Sequence, residues 1–155
     1  MTERIFDIFW EGSYLWGEHK QSIKDSHVLY ALYGTHPVYG QGVLLYIGMT
    51  ERGVGVRLYD HADWIEDEPD KVNIRVASMG EIKSWEGWEE DERYARAQKA
   101  DVEAVEALLI YAHQPAYNTR NKESLEKARG IRVFNTGNFG SLLPEISHRY
   151  CSEKW

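Results

Sequence analysis

The chain has 155 residues, of which 43% are hydrophobic and 28% are charged, and its formal net charge is −7. This composition is typical of one soluble globular domain and excludes a largely disordered chain, and no apolar run approaches the roughly 20 residues that a membrane-spanning helix needs. Cys151 is the single cysteine, which excludes an intrachain disulfide, and the charged N-terminus lacks the apolar stretch of a secretion signal, so we expect a cytoplasmic protein.

The first half of the sequence predicts an extension, a hairpin and a helix. Residues 1–25 are interpreted as an irregular or partly helical N-terminal extension that packs on the domain. Residues 27–33 and 43–49 have the β-branched and aromatic content of strands, and the glycine-rich loop 34–42 joins them into an antiparallel hairpin. After a turn, residues 56–65 have helical spacing, which places Arg57 and His61 on one face because they are four residues apart.

The second half adds a third strand and the longest helix. Alternating apolar residues predict a strand at 72–79, and an apolar stripe predicts a helix at 93–113, which Pro115 ends. We therefore predict an α+β fold, a small mixed domain with a three-stranded antiparallel central sheet flanked by helices in the order β-β-α-β-α. This domain is assigned to residues 26–118, with residues 119–155 as a C-terminal tail that completes it.

Charge is distributed unevenly along the chain. Residues 60–92 contain 12 acidic and three basic residues, a net charge of −9, so the rest of the chain carries +2. The run 119–132 contains five basic and two acidic residues. The pattern fits two charged faces that are simply solvated. It also fits a molecule with one acidic side and one side that contacts phosphate groups.

Six polar residues on the predicted elements are candidates for chemistry. Glu106 is the most informative, because it lies beside an apolar helical stripe, where a carboxylate is costly unless it is paired or bound to a metal. Each residue taken alone also has an ordinary structural explanation, such as a core tyrosine, an exposed helix face or an ion pair. The six are Tyr30 and Tyr46 on the hairpin, Arg57 and His61 on the next helix, Glu106 on the long helix, and Asn118 after it.

Taken together, these residues and their neighbours resemble the GIY-YIG nuclease family. The matching motifs are Val28-Leu29-Tyr30, Tyr46-Ile47-Gly48, Arg57 and His61 at a spacing of four, and Glu106 followed by Pro115-Ala116-Tyr117-Asn118. The resemblance covers about residues 27–118. Val28 replaces the glycine of the first triplet, and Met49 stands where some members carry a lysine.

The resemblance implies a metal-dependent endonuclease that hydrolyses phosphodiester bonds in DNA. Glu106 would bind Mg²⁺ or Mn²⁺ with water in the other positions, and Arg57 would reach the scissile phosphate with its planar fork of donors. Tyr30, Tyr46 and His61 all remain candidates for the general base. Asn118 would hold the active site together by hydrogen bonds.

The expected partner is DNA, with RNA also open, and Arg52, Arg120 and Lys122 are predicted to contact it. The protein carries little net positive charge outside residues 60–92, which predicts weak binding to DNA. Specificity would therefore come from a homodimer or a protein partner. The sequence does not separate restriction, repair, recombination and mobile-element roles. Met49 and the acidic segment also fit a catalytically weak or inactive nucleic-acid-binding or protein-interaction module on the same fold. A chance match in an unrelated small domain is the third interpretation.

Overall fold

The computed structural model describes residues 2–50, 53–83 and 97–152. The strands are β1 (Arg4–Leu15), β2 (Leu29–His36), β3 (Gly40–Met49), β4 (Asn73–Ile82), β5 (Ile131–Gly137) and β6 (Glu145–Ser147). The helices are α1 (Val54–Tyr59), α2 (Ala62–Glu66), α3 (Lys99–His113) and α4 (His148–Ser152), with 3₁₀ helices at His19–Ser22 and Glu126–Ala128. Within these ranges no helix has the length and apolar character that crossing a bilayer requires.

The strands form one mixed sheet of six strands in the order β3-β2-β4-β1-β5-β6. β1 and β5 run parallel, and the other neighbouring pairs are antiparallel. The predicted three-stranded antiparallel sheet flanked by helices is therefore wrong. The three predicted strands are present as β2, β3 and β4, but β1, β5 and β6 double the sheet and make it mixed, and most of the helices are short.

The N-terminal segment accounts for most of this difference. The prediction of an irregular or partly helical stretch over residues 1–25 is wrong, because β1 lies inside the sheet between β4 and β5. Phe6, Ile8 and Trp10 alternate into the core and are at most 1% exposed. Asp7, a residue that is rare in strands, is also buried, and its carboxylate accepts a hydrogen bond from Thr136 Oγ1 at 2.9 Å. That hydrogen bond comes from β5, which is distant in the sequence.

Both faces of the sheet are covered. On one face, α3 packs against a core that includes Phe6, Ile8 and Trp10. On the other face, α1 and α2 pack against a second core that includes Tyr30 and Ile74. The helix predicted at 56–65 is two short helices with a break at residues 60–61, and the helix predicted at 93–113 is seen from Lys99 onward, since residues 93–96 lie outside the described ranges.

Gly48 provides the space in which the ring of Tyr30 packs. The two residues are paired across β3 and β2. An added Cβ at position 48 would lie within about 2.3 Å of Tyr30 Cζ and Oη, which is far closer than any real contact. The glycine of the second triplet is therefore a packing requirement of the buried tyrosine.

The chain after α3 returns to the free edge of β3. The backbone amides of Ala116 and Tyr117 donate to the carbonyls of Leu44 and Leu45. Asn118 then takes the place of a neighbouring strand, because its Oδ1 accepts from the amide of Ile47 at 2.9 Å and its Nδ2 donates to the carbonyl of the same residue at 3.0 Å. This pairing fixes the part of β3 that carries Tyr46.

Substituting Gly48 by alanine tests the close packing of Tyr30. We expect Gly48→Ala to lower the free energy of unfolding by about 1–3 kcal/mol, because the new methyl overpacks the core. Gly55→Ala in α1 is the matched control, since a Cβ there meets nothing within 4 Å. Chemical denaturation measures both, and equal stability of the two variants would contradict the packing argument.

Candidate active site

A hydrogen-bonded chain of three side chains connects the sheet to α1 and α2. Tyr30 on β2 is fully buried, and its hydroxyl lies 2.8 Å from Nε2 of His61, in the break between α1 and α2. The indole N–H of Trp64 on α2 donates to Nδ1 of His61 at 3.1 Å. Residues 57, 61 and 64 follow helical spacing, so one side of this segment faces the tyrosines.

The partners of His61 determine where its proton lies. An indole N–H can only donate, so Nδ1 is an acceptor, and Nε2 of the neutral ring carries the proton and donates to Tyr30 Oη. Burial, followed by the neighbouring Arg57, lowers the pKa of His61, which keeps the ring neutral at neutral pH. Both ring nitrogens are thus engaged, so His61 has no free lone pair to accept a proton.

The two tyrosines differ in their access to solvent. Tyr30 is 0% exposed, and burial together with the nearby Tyr46 raises its pKa well above the usual range. Tyr46 on β3 is half-buried, with its ring centroid 6.0 Å from that of Tyr30 and 4.9 Å from that of His61. Of the two tyrosines, only Tyr46 combines the central position with an accessible surface.

Arg57 brings a positive charge close to the two tyrosines and Glu106. Its side chain is 40% exposed, contacts Asp60 at 3.5 Å and also interacts with the Tyr30 hydroxyl. Its charge interacts with Tyr30, Tyr46 and Glu106, so residues from β2, β3, α1 and α3 meet in one electrostatic cluster. Because the contact with Asp60 is long, the guanidinium retains donors for an anionic ligand.

Glu106 lies on the buried side of this cluster. Burial raises the pKa of its carboxyl to about 7, although Lys127, a hydrogen bond from the backbone N–H of Met49, and Arg57 all favour the charged form. Among the described residues, no basic side chain forms a salt bridge with Glu106. A half-buried carboxylate that pairs with no basic side chain in the described part of the chain is electrostatically poised to gain a cation.

The donor set around Glu106 suits a hydrated divalent cation. Within the described ranges there is no group of three or more His, Cys, Asp and Glu side chains that would hold a metal, which disfavours a fully protein-ligated ion. A single carboxylate is compatible with Mg²⁺ or Mn²⁺, since Mg²⁺ keeps several waters and binds through one or two carboxylates. Glu106 therefore fits one position of such a hydrated ion.

The structure brings most of the predicted site residues together. Tyr30, Tyr46, Arg57, His61 and Glu106 form the cluster, and Asn118 supports it through the backbone of Ile47. Of the predicted nucleic-acid contacts, Arg52 lies outside the described residues. Arg120 is exposed and Lys122 half-buried, and within the described part of the chain neither makes a salt bridge or a side-chain contact with the cluster.

Two residues of the site escaped the sequence analysis. Trp64 orients His61, and its spacing of three from His61 on the same helical side was a usable signal. Lys127 makes the largest contribution to keeping Glu106 charged, and the 3₁₀ helix around Lys127 is anchored by the buried Leu125 and Ala128. No local pattern in the sequence indicates that this segment returns to α3.

Comparisons with known proteins add no relatives. No family model, curated protein or solved structure matches the chain. The GIY-YIG resemblance therefore depends on the residues of the motifs alone.

Stability as a function of pH tests the burial of Glu106. Because folding raises the pKa of this carboxyl from 4.5 to about 7, the folded state binds a proton more tightly than the unfolded state, and stability is lost as pH rises through this range. We expect Glu106→Gln to be more stable than the original protein at pH 8, by about 1–3 kcal/mol, and to lose less stability between pH 5 and pH 8.

The matched control for that measurement is Glu126→Gln, which changes the same charge at a side chain that is 78% exposed and paired with Arg129. Thermal or urea unfolding in a metal-free buffer with EDTA measures all three proteins. A Glu106→Gln protein that is less stable at pH 8, with the same pH dependence as the original, would show that the carboxylate is well stabilised in the fold.

Proposed function

We propose that the protein is a divalent-metal-dependent endonuclease that hydrolyses phosphodiester bonds in DNA through a GIY-YIG-type active site. The observation that carries this proposal is the cluster in which the half-buried carboxylate of Glu106, the accessible guanidinium of Arg57 and the hydroxyl of Tyr46 meet from three different elements. A carboxylate for a cation, a cation for a phosphate and a hydroxyl for a water are the groups that phosphodiester hydrolysis needs.

Arg57 binds the scissile phosphate in this proposal. Its five N–H donors match two phosphate oxygens at once, and its charge offsets the negative charge that develops on the phosphate in the transition state. The contact with Asp60 at 3.5 Å is weak enough to be exchanged for a phosphate. Lysine would be a poor substitute, because its ammonium is a single point charge without the planar fork.

The geometry supports Tyr46 as the group that orients the attacking water. Tyr30 is fully buried, and both ring nitrogens of His61 are engaged. Tyr46 is half-buried and lies close enough to Arg57 for their charges to interact, so its hydroxyl can accept a hydrogen bond from the attacking water while the guanidinium holds the phosphate. Tyr30 and His61 are then positioning residues, which hold the α1–α2 segment against the sheet.

Glu106 would hold the Mg²⁺ or Mn²⁺, which supplies positive charge for the phosphate and the leaving oxygen. The carboxylate must be ionised for this, although burial favours its neutral form. Lys127 and the amide of Met49 help to keep it charged before the cation binds. DNA is the proposed substrate, with RNA also to be tested, and a homodimer or protein partner would supply specificity.

The second candidate is a catalytically weak or inactive module that binds nucleic acid or protein on the same site. One observation favours it, namely that Glu106 is a lone carboxylate with no ligand cluster around it among the described residues. Such a module would bind a phosphate through Arg57 without cleaving it.

Cleavage assays with matched variants distinguish the two candidates. Supercoiled plasmid, branched DNA and RNA are incubated with Mg²⁺ or Mn²⁺, and we expect nicked or linear DNA from the original protein only when metal is present. Glu106→Gln and Tyr46→Phe should each lower the rate by about 10²-fold or more, because each removes one catalytic group.

Tyr59→Phe is the control for Tyr46→Phe, because it removes the same hydroxyl from a residue on α1 that is 79% exposed. Equal rates for the original protein and Glu106→Gln would overturn the role of the carboxylate. Binding of DNA without cleavage of any substrate would support the binding module instead.

The dependence of the rate on pH gives a further test. At subsaturating metal, kcat/KM should rise with pH up to about 7 and then level off, because only the ionised Glu106 carboxylate binds a cation and its pKa is raised to about 7 by burial. The measurement is plasmid nicking between pH 5 and pH 9 at constant ionic strength. A profile that is flat below pH 7 would contradict this assignment.

A further inference from the structure

The tip of the β2–β3 hairpin presents two large side chains to solvent. Val38 is 79% exposed and Tyr39 is 70% exposed. His36 anchors the tip, because its Nδ1 accepts hydrogen bonds from the backbone amides of Val38 and Tyr39 at 3.1 and 3.2 Å. The rings of His36 and Tyr39 stack with their centroids 4.6 Å apart, which covers one face of the tyrosine and leaves the other open to solvent. An aromatic ring that is both anchored and exposed is suited to binding.

The rings at the tip continue into a row that joins three parts of the fold. The centroid of the Tyr117 ring, after α3, lies 5.7 Å from that of His36, and the centroid of the Trp64 ring on α2 lies 5.7 Å from that of Tyr117. We call Tyr39, His36, Tyr117 and Trp64 the aromatic row, and each of the four is half-buried or exposed. The row ends beside the candidate active site, because the ring centroid of Trp64 lies 6.4 Å from that of Tyr46.

Carboxylates are fixed close to the aromatic row by neutral donors. Glu68, which follows α2, accepts a hydrogen bond from the hydroxyl of Tyr117, and burial together with this carboxylate raises the pKa of the tyrosine. Asp70 accepts a hydrogen bond from Oγ1 of Thr35, near the end of β2, at 2.6 Å. Among the described residues, neither carboxylate forms a salt bridge. Their negative charge is therefore held in place without a basic partner in that part of the chain.

The charge of the surrounding segment indicates which ligand fits these rings. Residues 62–72, which form α2 and its connection to β4, contain five acidic residues and one basic residue, a net charge of −4. An exposed aromatic ring alone also suits a nucleobase, but this negative charge repels the phosphates that a nucleic acid brings with it. A cation is attracted both by the face of an aromatic ring and by a carboxylate.

Arginine is the cationic side chain that matches both features. Its planar guanidinium stacks on an aromatic face, and its fork of N–H donors binds a carboxylate through two hydrogen bonds. Lysine provides the same charge as a compact, strongly hydrated ammonium that does not stack. The open face of Tyr39 and the carboxylate of Glu68 therefore favour an arginine-containing ligand over one that is merely basic.

We propose that the aromatic row and Glu68 form a docking surface for an arginine-rich segment of a protein partner. One guanidinium stacks on the open face of Tyr39, and another donates to the carboxylate of Glu68. The inference rests on the proposed function in naming the chemistry of the partner that supplies specificity, but the binding itself requires neither metal nor cleavage. Because the row ends at Trp64, beside Tyr46, a partner bound here lies next to the substrate.

The test is calorimetric titration of the full chain, in EDTA and at constant ionic strength, with a short peptide of alternating arginine and glycine. We expect saturable binding, about twofold or more weaker for the matching lysine peptide and absent for the peptide in which neutral citrulline replaces arginine. Tyr39→Ala should weaken binding about two- to fivefold, because a ring face is lost. Glu68→Gln should weaken it by about twofold or more.

Each variant has a matched control on a different part of the surface. Tyr150→Ala removes a ring from α4 that is 66% exposed, and Glu126→Gln makes the same change of charge at a side chain that is 78% exposed. The affinity of both controls for the arginine peptide should equal that of the original protein. Equal affinity in Tyr39→Ala and Tyr150→Ala would overturn the proposal, and so would equal binding of the arginine and lysine peptides.

Two further measurements separate the other occupants of this surface. If Tyr39→Ala weakens binding of a single-stranded oligonucleotide and leaves peptide binding unchanged, the row stacks nucleobases and the proposal is wrong. If sedimentation of the protein alone shows self-association that Tyr39→Ala abolishes, the occupant is a second copy of the chain and the proposal is again wrong. Peptide binding that depends on Tyr39, in a protein that cleaves no substrate, would support the docking surface while contradicting the proposed nuclease.

Discussion

The buried ring of Tyr30 is the constraint on which the arrangement of the site depends. On one side it occupies the space left by the missing side chain of Gly48, and its hydroxyl accepts a hydrogen bond from His61 at 2.8 Å. A buried hydroxyl without such a partner is costly, so the sheet requires the α1–α2 segment at this point. His61 is fixed in turn by Trp64, which leaves the imidazole one tautomer and one orientation.

This constraint places charged groups from separate elements around one small space. Because His61 is held against Tyr30, Arg57 one helical turn earlier faces Tyr46 and Glu106. Glu106 belongs to α3, which packs on the other face of the sheet. Its carboxylate lies at the end of β3, where it accepts a hydrogen bond from the backbone amide of Met49. Its raised pKa reflects a carboxylate that the fold has desolvated and that forms no ion pair within the described ranges, an arrangement more typical of functional sites than of structural ones.

The sequence predicted which polar residues come together better than it predicted the fold. Tyr30, Tyr46, Arg57, His61 and Glu106 were selected because a motif depends on the type and order of residues, and the structure places them near one another; their role in catalysis stays a prediction. The sheet was predicted wrongly because β1 contains Asp7, whose buried carboxylate accepts a hydrogen bond from Thr136 on a strand far along the chain. Lys127 was missed for a similar reason, since its significance depends on a C-terminal segment that returns to α3. Non-local contacts of this kind leave no periodic signal in a single sequence.

The proposed function depends on a divalent cation that binds at Glu106. Nuclear magnetic resonance spectra recorded during titration with Mn²⁺ test this directly, because the paramagnetic ion broadens the amide signals nearest to it. We expect selective broadening around Met49 and Glu106 in the original protein, and loss of this broadening in Glu106→Gln. Broadening that is centred on another part of the chain, or that is the same in both proteins, would contradict it.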